Sequence, residues 1–367
     1  MKRIGTFDFL RFVAAVFMVL HHYQQLVGVY FQEGINFCSE TGTFTFAYLV
    51  EFFFILSGLL AVKYIKYIQE GLAFKDFFLK KYVRLFPLMA ASAVVYEVLI
   101  YLFGFFNVQE FHWMFSLDIN IWGTVITALG IQAGGAFANP QINNPLWYVS
   151  VLLLCYILLY VVVRVGKKKN INVGYLVIFM IFLAVGIRTY GIAFPFFNVQ
   201  SAKGYIPFFF GVLIGMFFEN RDSKKKEVVV SILVITILLM LIIFQYDNVE
   251  SNIDYVMTFL FYPALITIFN SATAKKIFSF KIFHILGNIS YGMFVWHVDL
   301  ILAMFIAISA LNLEVNIYSR VAMYLFAVVC ILVGILSHYL YERPAIKYIE
   351  KKIALKKAEY ERLNKCS

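Results

Sequence analysis

Long runs of apolar residues follow one another along the chain, and short polar segments separate them. Each run is close to the length of about 20 residues that an α-helix needs to cross a bilayer. Because the runs are continuously apolar and do not alternate with a period of two, they indicate helices and not the strands of a membrane barrel. Ten transmembrane helices are predicted, at about 7–31, 45–65, 85–106, 145–165, 173–193, 204–219, 228–244, 254–270, 286–311 and 320–341.

Residues 120–138 form a weaker apolar segment that is rich in Gly and Ala. If this segment does not cross the membrane, 27 of the 31 Lys and Arg lie on one side, together with both termini. The other side then holds Arg188, Lys203 and Arg320, and Arg11 lies inside a span. Because positive charge collects in cytoplasmic loops, this distribution predicts cytoplasmic termini and makes 120–138 a re-entrant or surface segment.

The composition agrees with a membrane protein, since 62% of the residues are hydrophobic and only 14% are charged. A soluble domain has about 45–50% apolar and about 25% charged residues. The net charge of +10 lies mostly in short loops and the tail, where it indicates membrane lipids as partners and not nucleic acid. The expected architecture is an all-α, polytopic membrane bundle over 1–345, followed by a basic cytoplasmic tail, 346–367, predicted as an amphipathic helix.

Four cysteines, Cys38, Cys155, Cys330 and Cys366, lie far apart in the sequence. Their spacing matches neither a zinc site nor a disulfide framework, so no metal site and no bound cofactor are predicted. The first apolar run has no small-residue cleavage site after it and is expected to be a retained span, not a cleaved signal.

The first predicted helix carries ionisable residues within its apolar run, namely Asp8, Arg11, His21 and His22. Such groups are costly in a bilayer, about 2.5–3.5 kcal/mol for arginine, and they usually mark functional sites. An α-helix turns about 100° per residue, so Arg11 and His22 share one face about 16 Å apart, whereas His21 points about 80° away. Asp8 is close enough to pair with Arg11. His22 is the candidate acid–base residue, since histidine titrates near neutral pH.

An arginine, ten intervening residues and a histidine in the first span are similar to the signature of the acyltransferase-3 family. Members of that family are multi-pass enzymes that move acyl groups, usually acetyl, from acyl-CoA onto sugars of cell-surface polysaccharides. Five further stretches resemble family motifs in the expected order: FFFILSGLL (52–60), FLKKYVRLFP (78–87), NPLWYVS (144–150), GNISYGMFVWHV (287–298) and YLYERPAIK (339–347). From these six motifs the chain is identified as a member.

The resemblance implies acyl transfer at the cell membrane, with acyl-CoA, expected to be acetyl-CoA, as the co-substrate. The acceptor implied is a hydroxyl of a surface glycan or of its lipid-linked precursor. His22 would act as general base or relay the acyl group, and His297 is a second acid–base candidate. Arg11, Lys81 and Arg84 would hold the CoA phosphates at the cytoplasmic end. The ordinary positive charge of cytoplasmic loops explains Lys81 and Arg84 equally well.

Trp147 and Tyr148 open the fourth predicted span at its outer end and are candidates for stacking on the acceptor sugar. An interfacial aromatic belt explains them equally well. Two features depart from the family pattern. The basic motif reads Lys81-Tyr-Val-Arg84 where two arginines are common, and lysine does not grip phosphate with two parallel hydrogen bonds. The glutamate that some members carry after the tryptophan is absent, which puts a mechanism that needs it in doubt.

Other interpretations of the same residues stay open. Arg11 and His22 would also serve a secondary transporter of an anionic substrate, although 120–138 is the one irregular segment and has no counterpart in the second half. A sensor or scaffold would use them without chemistry. An ion pair of Asp8 with Arg11 at the membrane surface and a structural hydrogen bond of His22 are also compatible with the sequence.

Three further sites are predicted to have structural and not chemical roles. Ser57 and Gly58 interrupt an apolar helix and favour close helix packing, because Ser57 lacks the context of a nucleophilic serine. His112 is expected in a solvated loop. Residues 342–344 (Glu-Arg-Pro) predict a structural turn at the end of the last helix.

Overall fold

The computed structural model describes residues 4–31, 46–106, 108, 119–135, 142–219, 221–244 and 253–366. Within these ranges the chain is almost entirely helical, which confirms the predicted all-α class. Two strands of the described chain, β1 (Ala193–Phe194) and β2 (Phe197–Asn198), form a small antiparallel hairpin. His112 lies outside the described residues.

The predicted apolar runs all coincide with helical segments of the structure. The helices in chain order are α1 (Gly5–Phe31), α2 (Leu49–Ala61), α3 (Lys63–Gln69), α4 (Phe74–Phe105), α5 (Ile121–Leu129), α6 (Trp147–Lys169), α7 (Val173–Thr189), α8 (Val199–Phe217), α9 (Lys225–Phe244), α10 (Ile253–Val256), α11 (Tyr262–Phe269), α12 (Ala272–Ile277), α13 (Lys281–Ala310), α14 (Arg320–Ser337) and α15 (Arg343–Cys366). A π-helical turn, Met257–Phe261, joins α10 to α11.

Several helices of the described chain have the length and apolar character of membrane helices. Four are long and apolar enough to cross a membrane: Phe74–Phe105, Asn144–Lys169, Lys281–Ala310 and Arg320–Lys356. Shorter apolar helices cover Leu49–Ala61, Val173–Thr189 and Ile253–Phe269. These helices agree with a membrane protein, while the total of ten spans stays a prediction.

The weaker apolar segment forms a short helix. Helix α5 has nine residues. This length corresponds to about 14 Å, less than half of the roughly 30 Å of hydrocarbon that a span must cross. The helix packs along α4 and ends at Gly130, whose φ of 72° is a left-handed conformation that glycine adopts without strain. The geometry agrees with the prediction that 120–138 does not cross, although residues 136–138 lie outside the described ranges.

Helices α2 and α8 pack with their backbones in close contact because glycines lie at the interface. A Cβ atom on Gly58 would overlap the carbonyl oxygen of Phe208, and one on Gly211 would overlap the carbonyl oxygen of Ile55. Only glycine therefore allows this approach. The expectation that Gly58 serves helix packing is confirmed.

Helices α1 and α13 pack along each other and place the central residues of the site. Val19 and Tyr23 of α1 share a buried cluster with Val298 and Ile301 of α13. The hydroxyl of Tyr23 also donates to the carbonyl oxygen of Ile317, at 2.7 Å. This interface fixes the register between the two helices and therefore the relative heights of their polar side chains.

The last apolar helix continues into the tail as a helix. A π-helical turn, His338–Glu342, connects α14 to α15, and Nδ1 of His338 lies 2.8 Å from Oε2 of Glu342. The predicted helix end at 342–344 is therefore wrong. Pro344 lacks a backbone N–H, and the wider π turn accommodates that loss without ending the helix.

Candidate active site

Two histidines that are distant in the sequence meet at the interface of α1 and α13. Nδ1 of His22 lies 2.7 Å from Nε2 of His297, and the ring centroids are 4.7 Å apart with an angle of 19° between the planes. His297 is fully buried, and His22 is partly exposed. The structure therefore brings the two predicted acid–base candidates together as one hydrogen-bonded pair.

The hydrogen bonds of the pair assign its tautomers. Nδ1 of His297 lies 2.6 Å from the carbonyl oxygen of Phe294, which can only accept, so this nitrogen carries the proton. Nε2 of a neutral His297 then has the lone pair and accepts from the Nδ1–H of His22. Nε2 of His22 consequently has a free lone pair. The arrangement provides a base at His22 whose ring is held by His297.

His21 takes a different direction from the neighbouring His22. Their ring centroids lie 5.3 Å apart, and the ring planes are tilted by 50°. The hydrogen bond to His297 comes from His22, the histidine that shares the helix face of Arg11. His22 therefore contacts α13 through a ring nitrogen, and its role as the acid–base residue stays a prediction.

Arg11 is held near the start of α1 by an acidic neighbour. Its Nη1 lies 3.4 Å from Oδ1 of Asp8, and Oδ2 of Asp8 lies 2.8 Å from Nδ1 of His284 on α13. The buried Asp8 side chain packs against Gly287, where a Cβ atom would lie 2.5 Å from Cβ of Asp8. The predicted pair of Asp8 and Arg11 is confirmed, and glycine at 287 leaves the room that the carboxylate needs.

The side chain of Tyr148 points into the bundle. Its hydroxyl lies 3.3 Å from Oγ of Ser57, and its buried ring lies 4.5 Å from the ring of Phe54. Arg11 is close enough to interact electrostatically with this hydroxyl. A membrane-surface aromatic belt therefore does not describe Tyr148. Trp147 is half-buried beside it, with its ring 6.2 Å from that of Phe54.

Lys81 lies among aromatic rings at the end of the bundle where α4 begins. Its Nζ is 4.1 Å from the ring centroid of Tyr64 and 4.7 Å from that of Tyr156. Cation–π contacts of this kind favour a charged ammonium that has lost part of its water. They also fix the position of a side chain that is otherwise flexible.

Three more cations surround Lys81, and together they form the cationic cluster of Lys63, Lys80, Lys81 and Arg84. Electrostatic interactions couple them to one another. In the described part of the chain, none of the four forms an ion pair with a carboxylate. Glu342 interacts electrostatically with Arg84 without forming an ion pair with it. Four cations and one carboxyl group leave a net positive potential, which favours an anionic ligand.

The family model of the acyltransferase domain matches residues 4–340, which is nearly the whole chain. The matched range contains every residue of the candidate active site. The chain belongs to the acyltransferase-3 family. It is also 28% identical over 272 residues to the O-acetyl transferase of Shigella phage Sf6, an alignment that covers 70% of this chain and 74% of the phage protein. No solved structure matches the chain.

In this acyltransferase, Tyr156 connects the residues that sequence motifs predicted separately. Arg11 and Arg84 both act electrostatically on Tyr156, and Lys81 lies over its ring. The cationic cluster and Arg11 therefore border the same region of the bundle. His22 lies farther along α1, about 16 Å from Arg11 by helical rise.

Tyr64, Tyr156 and His284 were not predicted as site residues from the sequence. Tyr64 and Tyr156 resemble many other aromatic residues, which make up 19% of the chain, so no local signal separates them. His284 gave a weak signal as an ionisable residue near the start of a predicted span. Among the described residues, no group of three or more His, Cys, Asp or Glu side chains converges as a metal site would require.

Proposed function

We propose that this acyltransferase moves an acyl group, expected to be acetyl, from acyl-CoA to a hydroxyl of a cell-surface polysaccharide or of its lipid-linked precursor. Family membership and the similarity to a phage O-acetyl transferase support O-acyl transfer. The observation that carries the mechanism is the hydrogen bond between His22 and His297, because it leaves Nε2 of His22 with a free lone pair.

In the proposed reaction, Nε2 of His22 takes the proton of the acceptor hydroxyl as its oxygen attacks the thioester carbonyl carbon. The new ester C–O bond forms, the C–S bond breaks, and the CoA thiolate receives the proton from His22. The positive charge on His22 during the reaction is stabilised by the hydrogen bond to His297. A positioned base of this kind supplies about 10²–10⁴-fold in rate.

The cationic cluster is the proposed site of the CoA phosphates. Arg84 is exposed and can bind phosphate with two hydrogen bonds, while Nζ of Lys81 is held in place over the ring of Tyr64 and can donate to a phosphate oxygen. Arg11 interacts electrostatically with Tyr156 and shares the face of α1 that carries His22, so it is proposed to contact the donor near its acyl end. The absence of carboxylate ion pairs with the described cluster residues supports this role.

Tyr148 and Trp147 are proposed substrate contacts. The location of the Tyr148 hydroxyl, next to Ser57 and within electrostatic range of Arg11, favours a hydrogen bond to substrate over stacking on a sugar. Trp147 retains the proposed role of a stacking surface for the acceptor, since its ring is only half-buried at the start of α6. The protein is proposed to lie in the plasma membrane with both termini in the cytoplasm, as the positive-inside rule indicates.

The test of the proposal is label transfer from radiolabelled acetyl-CoA to host-envelope glycan by the full-length protein in nanodiscs. His22→Ala is expected to lower the rate by about 10²–10⁴-fold because it removes the base. His21→Ala is the matched control, a neighbouring histidine whose loss leaves the hydrogen bond of His22 to His297 intact.

Two outcomes would contradict the proposal. A wild-type protein that neither transfers acetyl nor binds acetyl-CoA, and that also gives no transfer from succinyl-CoA, would refute the acyl-CoA donor. Equal rates for wild type and His22→Ala would refute the role of His22. Substrate flux into vesicles without release of CoA would instead favour the secondary transporter.

A further inference from the structure

Four charged side chains from four helices converge at the end of the bundle where α1 finishes. This outer charged cluster consists of Glu51 at the start of α2, Arg188 in the last turn of α7, Lys203 near the start of α8 and Asp254 in α10. The three other members are close enough to Glu51 to act on it electrostatically. Charged residues make up only 14% of the chain, so four of them in one place are unusual. The reaction proposed at His22 does not use any of the four.

Part of the cluster is already satisfied by internal contacts. Arg188 forms an ion pair with Oδ2 of Asp254, and its guanidinium carbon lies 4.9 Å above the ring of Tyr255. The backbone N–H of Tyr255 donates to Oδ1 of Asp254, at 3.0 Å. Arg188 and Asp254 therefore link α7 to α10 without Glu51. A structural link between these helices does not explain the presence of Glu51.

Oε2 of Glu51 is the carboxyl oxygen of the cluster that has neither a hydrogen bond nor an ion pair among the described residues. Glu51 is only 8% exposed, and its Oε2 has no hydrogen-bond partner in the described part of the chain. A buried carboxyl oxygen without a hydrogen-bond partner is costly. A donor supplied by a ligand would satisfy this oxygen.

We infer that the outer charged cluster binds a neutral, hydroxyl-rich sugar of the acceptor, with Glu51 accepting hydrogen bonds from its hydroxyl groups. Arg188 and Asp254 neutralise each other, and the buried Glu51 lies beside Lys203, so the cluster offers no excess of either charge to an ionic ligand. A hydroxyl both donates and accepts, so a polyol matches a site that offers carboxylate acceptors beside the donors of Arg188 and Lys203. The inference rests on the proposed function, in which this end faces outwards, where surface glycans lie.

The test measures binding of a neutral oligosaccharide fraction, prepared from host-envelope glycan, to the full-length protein in nanodiscs without acetyl-CoA. Glu51→Gln is expected to raise the Kd for the oligosaccharide about tenfold or more, since one carboxyl oxygen is replaced by an amide nitrogen that cannot accept a hydrogen bond. The Kd for acetyl-CoA is expected to stay unchanged. Arg320→Gln is the matched control, because Arg320 lies at the same end of the bundle by the predicted topology but at the start of α14, outside the cluster.

A second variant keeps the inference testable if Glu51→Gln fails to fold. Lys203 is exposed, so Lys203→Gln is expected to fold normally and to raise the oligosaccharide Kd severalfold. The inference is overturned if the wild type does not bind the oligosaccharide, if the folded variants bind it as the wild type does, or if acetyl-CoA binding weakens equally.

The same experiment separates this inference from the proposed function. A wild type that transfers acetyl to the oligosaccharide while Glu51→Gln keeps the wild-type Kd would refute the sugar site alone. A wild type that binds the oligosaccharide through Glu51 but transfers no acetyl would refute the proposed reaction and leave the sugar site supported.

Discussion

His297 can contribute to catalysis through its acceptor nitrogen, which holds His22, or only through the volume of its ring. Two substitutions at this position separate these contributions. His297→Phe keeps an aromatic ring in this fully buried position but removes the nitrogen that accepts from His22. A hydrogen bond to a charged group contributes about 1.5–3 kcal/mol, and His22 is charged when it holds the proton. The expected loss in kcat is therefore about 10–150-fold.

The conservative variant His297→Gln restores the acceptor. Its side-chain oxygen can take the place of Nε2 and accept from the Nδ1–H of His22, so most of the lost kcat is expected to return. The assay is the initial rate of label transfer from radiolabelled acetyl-CoA to host-envelope glycan in nanodiscs. The KM for acetyl-CoA is expected to stay constant, because Arg11 lies about 16 Å from His22 along α1 and the cationic cluster lies beyond it.

Melting temperatures of the variants serve as the control for folding. His297 is buried, and a variant that unfolds would lose activity for reasons unrelated to the tautomer of His22. The reasoning is refuted if folded His297→Phe is as active as the wild type. It is also refuted if His297→Gln is no more active than His297→Phe, since a general packing defect would then explain both.

Two other regions of the bundle give expectations of their own. Arg84→Gln is expected to raise the KM for acetyl-CoA about tenfold at similar kcat, whereas Lys66→Gln, which removes an exposed lysine paired with Glu70, leaves the KM unchanged. Equal KM values for Arg84→Gln and the wild type would contradict the phosphate site. Gly58→Ala is expected to lower the melting temperature by several degrees, because the new Cβ overlaps the carbonyl oxygen of Phe208; an unchanged value would contradict the close packing of α2 on α8.

Local helical geometry accounts for the parts of the site that could be predicted. The pairing of Asp8 with Arg11 follows from the rotation of about 100° per residue, and the structure shows this ion pair. The same rotation places His22, and not His21, on the face of Arg11, and the choice of His22 as the acid–base residue stays a prediction. Charge placement and weak hydropathy likewise indicated that 120–138 does not cross, and the nine-residue α5 agrees. These features depend on neighbours in the sequence, so no knowledge of tertiary packing is needed.

Contacts between distant helices account for what could not be predicted. The sequence presented His22 and His297 as two separate candidates, because their hydrogen bond depends on the register in which α1 packs on α13. His284 reaches Asp8 across the same interface. The aromatic rings around Lys81 come from α3 and α6, and nothing in the basic motif itself indicates them.

The axial arrangement of the site has a consequence for how the donor is used in the proposed reaction. The cationic cluster lies at the end of the bundle where α4 begins, and His22 lies about 16 Å beyond Arg11 along α1. Charged phosphates are costly to move into the bundle, whereas the uncharged arm that carries the thioester is not. The proposed function therefore requires the phosphates to stay at the cluster while the thioester extends past Arg11 to His22. The distance between the cationic cluster and His22 therefore fits a donor that has a charged head and an extended reactive arm.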